Sequence, residues 1–171
     1  MVSFPVDGVT GPNTNRGVFM QNDAAGAVLE DLIETLEDGY KGFEAAAEKL
    51  QANGHPHLAR TMNEYSAQRR RFSDELRSAA RSIGHEIEEN GSAAGALHRG
   101  WIAVKDALTG DDAHAILAAA ESGEDHAVSE YEDALGKGLP AQIQGVVAKQ
   151  AAEVRAAHDA VKAMRDQNEQ N

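Results

Sequence analysis

The stretch Leu117-Ala-Ala-Ala-Glu121-Ser-Gly-Glu124-Asp-His-Ala-Val128-Ser-Glu-Tyr131-Glu-Asp-Ala-Leu135 steps by threes and fours through Leu117, Glu121, Glu124, Val128, Tyr131 and Leu135. That spacing is one face of an amphipathic helix, and two carboxylates stand in the middle of it. Three other segments repeat the pattern. One runs through Leu29, Leu32, Leu36, Tyr40, Phe43, Ala47 and Leu50, with Glu37 and Glu44 at its edge. Another runs through Leu58, Met62, Tyr65, Arg69, Phe72, Leu76, Ala79 and Ile83, and the last through Ile143, Val147, Gln150, Val154, Ala157, Val161 and Met164. Four long helices with one apolar stripe each predict an all-α four-helix bundle. Arg69, Glu121, Glu124 and Gln150 fall on the inward stripes, and charge that faces a core is either paired or used.

The totals narrow the function. A chain of 171 residues buries a core as one domain without staples. The absence of cysteine excludes disulfides, thiolate metal sites, iron–sulfur clusters and a cysteine nucleophile. Sixteen basic residues against twenty-eight acidic ones leave a formal charge of −12, which repels phosphate backbones and anionic lipid. No nucleic-acid partner is therefore expected. The one basic run, Arg69-Arg70-Arg71, puts one of its members on the apolar stripe and forms no continuous basic face. No stretch is apolar for long enough to cross a bilayer, and none has the form of a signal peptide. A soluble, cytoplasmic protein without a membrane partner is expected.

The punctuation sets the order of elements. Residues 1–22, with Pro5, Gly8, Gly11, Pro12, Asn13, Asn15 and Gly17, read as a flexible N-terminal arm. Asn22 or Asp23 caps the first helix, which runs to Gln51 and stops at Asn53-Gly54; Pro56 opens the second, which ends at Ile83-Gly84. Asp111 and Asp112 cap the third, which stops at Gly136 and Gly138, and Pro140 starts a fourth that reaches Arg165. The domain is thus residues 23–165, followed by a polar tail, 166–171, expected to fray. Residues 84–110 are too long for a tight turn, and a connection returning along a helix of 25 to 30 residues travels roughly 40 Å. Within it, Ser92 to Gly110 has the composition of a short fifth helix. Two antiparallel hairpins joined by one long crossover are the ferritin-like arrangement, as opposed to an up-down-up-down bundle.

Four segments carry a family likeness. These are Leu32-Ile-Glu-Thr-Leu-Glu-Asp-Gly39, Gly95-Ala-Leu-His-Arg-Gly-Trp101, Glu121-Ser-Gly-Glu-Asp125 with Tyr131-Glu-Asp-Ala-Leu135, and Gln150-Ala-Ala-Glu-Val154 with His158. Together they resemble an uncharacterised bacterial family of ferritin-like four-helix-bundle proteins, a domain of unknown function with the Gly95–Trp101 motif in its crossover. The resemblance covers about residues 23–165 and implies a fold without an agreed activity. Ferritin-like proteins with di-iron or di-manganese centres carry a Glu-x-x-His pair on two helices. Here Ala67 follows Glu64 and Ala156 follows Glu153 at that spacing, so neither pair is present.

Measured from the two tight turns, Arg69 falls level with Glu124, Glu121 lies one turn away, and Gln150 and Tyr65 share the next layer. The expected arrangement is a buried polar network of Arg69, Glu121, Glu124, Gln150 and Tyr65 that fixes helix register. The resulting reading is a non-enzymatic structural, interaction or stress-associated protein with no cofactor. The alternative is an iron or manganese protein with oxidase or peroxide-handling activity, its metal held by Glu37, Glu64, Glu121, Glu124 and Glu153 as oxygen ligands. His55 and His57 form an i, i+2 pair on a loop and read as solvated, and His114 and His126 have no partner at ligand spacing. Gly39, Gly42, Gly95, Gly100, Gly123 and Gly145 lie inside helical patterns, which points to close backbone approach by the crossover or by a second copy in a homo-oligomer.

His98, Arg99, Trp101 and His158 are expected to pin the crossover to the bundle, with Trp101 buried and His98 and Arg99 against acidic side chains. Trp101→Ala should then cost about 3–5 kcal/mol. Fluorescence of this single tryptophan checks it: a blue-shifted, quencher-protected emission is expected, and emission like free indole in water would contradict the packing.

Overall fold

The computed structural model describes residues 14–87 and 112–169. They form four helices: α1 (Thr14–Ala52), α2 (Pro56–Ser82), α3 (Ala113–Leu135) and α4 (Ala141–Glu169). The expected fifth helix falls outside the described residues. Among these helices none is long and apolar enough to cross a membrane.

The stops act as the sequence suggests. Gly54, with φ 81°, lets His55 N–H reach back to Leu50 O (2.8 Å) and Gly54 N–H to Gln51 O (3.3 Å). Gly84, with φ 77°, repeats the arrangement at the end of α2, where His85 N–H donates to Ala80 O (3.0 Å) and Gly84 N–H to Arg81 O (3.1 Å). Both are Schellman caps, which satisfy carbonyls that a helix end leaves open. Pro56 occupies the first turn of α2, and the Asp112 carboxylate accepts from His114 N–H at the start of α3.

Two boundaries differ from expectation. α1 begins at Thr14, inside the stretch read as an arm of residues 1–22. No proline follows Pro12 there, and Asn22, expected to cap this helix, serves the end of another. Asn22 Nδ2 donates to Ile83 O at the end of α2 (3.2 Å), and Gln21 Nε2 donates to Gly138 O (3.5 Å). Val18, Phe19 and Met20 lie exposed on these first turns. At the other terminus α4 continues through the tail to Glu169, with Asn168 Nδ2 bonded to Met164 O at 2.8 Å.

α1 packs on α2 and α3, and α4 on α3 and α2, so the helices occupy four corners in the order α1, α2, α4, α3. One apolar cluster joins Leu29, Leu32 and Leu36 of α1 to Phe72 and Leu76 of α2, Tyr131 of α3, and Ile143 and Val147 of α4. The other joins Phe43 and Leu50 to Met62, Ile116, Leu117 and Val161. The second cluster therefore gathers the end of α1 and the starts of α2 and α3. Hence α2 and α3 run parallel, which two antiparallel hairpins related by a crossover require and an up-down-up-down bundle forbids.

After Gly84 the chain turns onto α1. His85 Nε2 lies 2.9 Å from Glu30 Oε1, and its ring covers Gly26, where a Cβ would stand 2.2 Å from Nδ1. Gly26 is thus a true close approach, whereas Gly145 has nothing within 4 Å of a built Cβ. Gly145 faces outward with no described residue against it, and the crossover and any second copy expected to approach it lie outside the described residues; at Gly39 the nearest atom is Arg69 Cγ at 3.5 Å, an ordinary contact. Gly95 and Gly100 lie outside the described residues. Gly145→Ala should stabilise the protein by about 1 kcal/mol through helix propensity. Gly26→Ala should show no such gain in the same urea titration, because it displaces the His85 ring.

Candidate functional site

The two apolar clusters are separated at mid-bundle by a polar layer. α2 contributes Ser66 and Arg69 to it, with Gln68 at its edge, and α3 contributes Glu124; Ser66, Arg69 and Glu124 are placed there by the three-and-four spacing that also buries their apolar neighbours. Arg69 and Glu124 are each only 1% exposed, and the Arg69 Nη2 donates to Glu124 Oε2. Arg69 Nη1 donates to Gln68 Oε1, and Gln68 Nε2 donates in turn to Glu153 Oε2 on α4 at 3.2 Å. A chain of polar contacts therefore crosses three helices, from Glu124 through Arg69 and Gln68 to Glu153.

The guanidinium carbon sits 5.6 Å from the Phe43 ring centre and 6.0 Å from that of Phe72. Those rings belong to the two different clusters, so the arginine plugs the gap between them and gains the attraction of aromatic faces for a cation. Arg69 Nε has no acceptor among the described residues. Ser66 Oγ donates to Tyr40 O (3.0 Å) and ties α2 to α1 at the same level. Burial pushes the Glu124 carboxyl above the usual carboxylate range, and the charge and hydrogen bond of Arg69 pull it partway back.

Glu121 does not join Arg69. Its partner is Arg165 near the end of α4, which also binds Asp166 through Nε (3.0 Å) and Nη2 (2.6 Å). One turn toward the start of α3 carries Glu121 away from α2 and brings it level with the last turns of α4. Gln150 and Tyr65 do not share a layer either. Tyr131 Oη donates to Gln150 Oε1 at 2.8 Å, and Gln150 Nε2 donates to Glu75 Oε2 (2.8 Å) and Phe72 O (3.3 Å), so this amide is satisfied within the first cluster. Burial drives the Tyr131 phenol far up from its ordinary value. Tyr65 lies toward the second cluster with its ring centre 5.5 Å from that of Phe43. Its phenol is also raised, first by burial and then by the charge of Glu124.

The five glutamates weighed as metal ligands are dispersed. Glu124 faces Arg69, Glu121 faces Arg165, Glu153 accepts from Gln68, and Glu37 pairs with Arg77 at 2.5 Å. Glu64 points to solvent. Among the described residues no three histidine or acidic side chains gather as a metal-ligand group. These side chains do not fit a carboxylate-bridged metal pair, because a guanidinium stands where such ions would sit.

His158 bridges to Asp125 on α3 (Nε2–Oδ1 2.8 Å) and to Asp159 (Nδ1–Oδ1 3.0 Å); the crossover it is expected to pin lies outside the described residues. His98, Arg99 and Trp101 lie outside the described residues. Gln68, Glu75 and Arg165 were missed by sequence reading. Gln68 and Glu75 flank the α2 stripe by one position, where a long side chain can still turn inward. Arg165 lay at the expected end of its helix, and only the extra turn to Glu169 brings it into play.

These observations define an all-α four-helix bundle whose mid-plane is closed by a buried arginine–glutamate pair. Residues 24–137 match the family described as a domain of unknown function (DUF2383), and the chain belongs to that family. The match takes in α2 and α3, hence both Arg69 and Glu124, and stops before α4. No curated protein matches the chain.

Arg69→Met should leave Glu124 buried without a counter-charge and cost about 3–5 kcal/mol. Arg165→Met, on a partly exposed pair, should cost clearly less. Urea unfolding of the two variants beside the parent checks the order.

Proposed function

We propose that the protein is a ferritin-like bundle acting as a structural or interaction protein of the cytoplasm, in which the internal carboxylates are counter-charges and not metal ligands. The observation that carries this reading is the placement of the Arg69 guanidinium against Glu124 at mid-bundle, 1% exposed on both sides. A fixed positive charge there opposes a divalent cation, and the carboxylate it engages is no longer free to coordinate one. Two further features support it. The Glu-x-x-His spacing is missing from the helices, and the polar groups of Gln150 and Tyr131 satisfy one another without leaving an open position. The lack of a basic face argues against a nucleic-acid partner, and a stress-associated role is compatible with a stable bundle of this kind.

The alternative, an iron or manganese protein with oxidase or peroxide-handling activity, would require Glu37, Glu64, Glu121, Glu124 and Glu153 to converge, and the geometry above works against it. Metal loading separates the two readings. Purified without chelator, incubated with Fe²⁺ or Mn²⁺ and desalted, the protein should retain clearly less than one ion per chain. It should also show no oxygen-dependent absorbance change. Retention of two ions per chain, lost on Glu124→Gln, would establish the metal reading instead.

A further inference from the structure

We propose that His158, held between Asp125 and Asp159, is an acid-tightened clamp that fastens α3 to α4 beside the buried ion pair. The geometry dictates its charge state. Both ring nitrogens lie within 3.0 Å of a carboxylate oxygen, Nε2 against Asp125 and Nδ1 against Asp159. A neutral imidazole has one N–H and one lone pair, so it satisfies one carboxylate and turns a lone pair on the other. Only the imidazolium donates to both, through two charge-assisted hydrogen bonds.

The charged groups facing the ring are Asp125 and, more distantly, Glu124 on α3, and Asp159 on its own helix. All three are acidic. The His158 side chain is 14% exposed while its carboxylate partners are largely open to solvent, so the clamp sits at the surface of the bundle with its ring sheltered. Burial by itself lowers the imidazole value, but the hydrogen bonds that Asp159 and Asp125 accept from the ring, together with their charges, outweigh it and raise it above the ordinary histidine value.

Asp159 also borders a neighbouring groove between α3 and α4, whose lining includes Val128, Leu135, Ala151 and Ala152. Arg155 of α4 and Glu132 of α3 strap that groove and fasten the same two helices with an ion pair of their own. Arginine keeps its charge at every physiological pH, so that strap is constant. His158 is the adjustable one. Its folded-state value is raised, so its contribution is fully present below the unfolded value of roughly 6.5 and is lost as pH rises through the folded value. The α3–α4 hairpin is therefore held more firmly in mild acid.

The test reads the ring and the hairpin separately in the full chain. An NMR titration of the His158 ring should give a midpoint above roughly 6.5, and Asp125→Asn should bring it down. In urea unfolding, the midpoint of the parent should drop between about pH 5.5 and about pH 8.5, on either side of that ordinary value, by more than that of His158→Gln. Asp125→Asn, at a solvent-exposed position, supplies the same comparison if His158→Gln does not fold. A ring that titrates at or below the ordinary value, or an equal pH dependence in parent and variants, overturns the clamp.

Discussion

Among the described residues the apolar core parts into two clusters at mid-bundle, and the Arg69–Glu124 pair fills the level between them. A guanidinium and a carboxylate removed from water each carry a desolvation cost of several kcal/mol, and their attraction offsets it only when geometry and hydrogen bonds are good. Gln68 on one side and the Phe43 and Phe72 rings on the other supply part of that condition, while Arg69 Nε is left without an acceptor among the described residues. An apolar core tolerates sliding of one helix past another by repacking, whereas this pair has one register in which both charges are met. The same pair joins α2 to α3, two helices that stand diagonally across the bundle.

Secondary contacts build outward from this level. Glu153 receives Gln68, Gln150 joins Tyr131 to Glu75 and the Phe72 carbonyl, and Glu121 engages Arg165. Each links helices that belong to different hairpins or closes a hairpin far from its turn. The carboxylates on the inner faces are thus shared out among separate partners, and the bundle interior holds several small polar contacts in place of one multi-ligand cluster.

The fold was legible because period and punctuation agree. The stripes, Gly54, Gly84 and Pro56 act in the structure as their spacing implies, and the parallel course of α2 and α3 follows from the length of chain between them. The level of Arg69 against Glu124 was also legible, since counting from two tight turns at 1.5 Å per residue leaves little freedom. Glu121 was misassigned because spacing along one helix does not say which neighbour a side chain at the edge of its stripe will meet. Asn22 misled for a related reason: a residue favoured at a helix start serves as well to cap a neighbouring helix, and α1 ran on past it to Thr14. The partners of His158 were not legible, because Asp125 and Asp159 belong to helices whose relative rotation the sequence leaves open.

A double-mutant cycle on Arg69→Met and Glu124→Leu tests most directly whether this pair is what fixes the bundle. If the charges depend on each other, replacing both should be less damaging than replacing either. The coupling between the sites should then reach about 2–3 kcal/mol. Single-variant losses that simply add in the double variant would contradict the account, since they would mean that Arg69 and Glu124 contribute independently and that the register is set elsewhere.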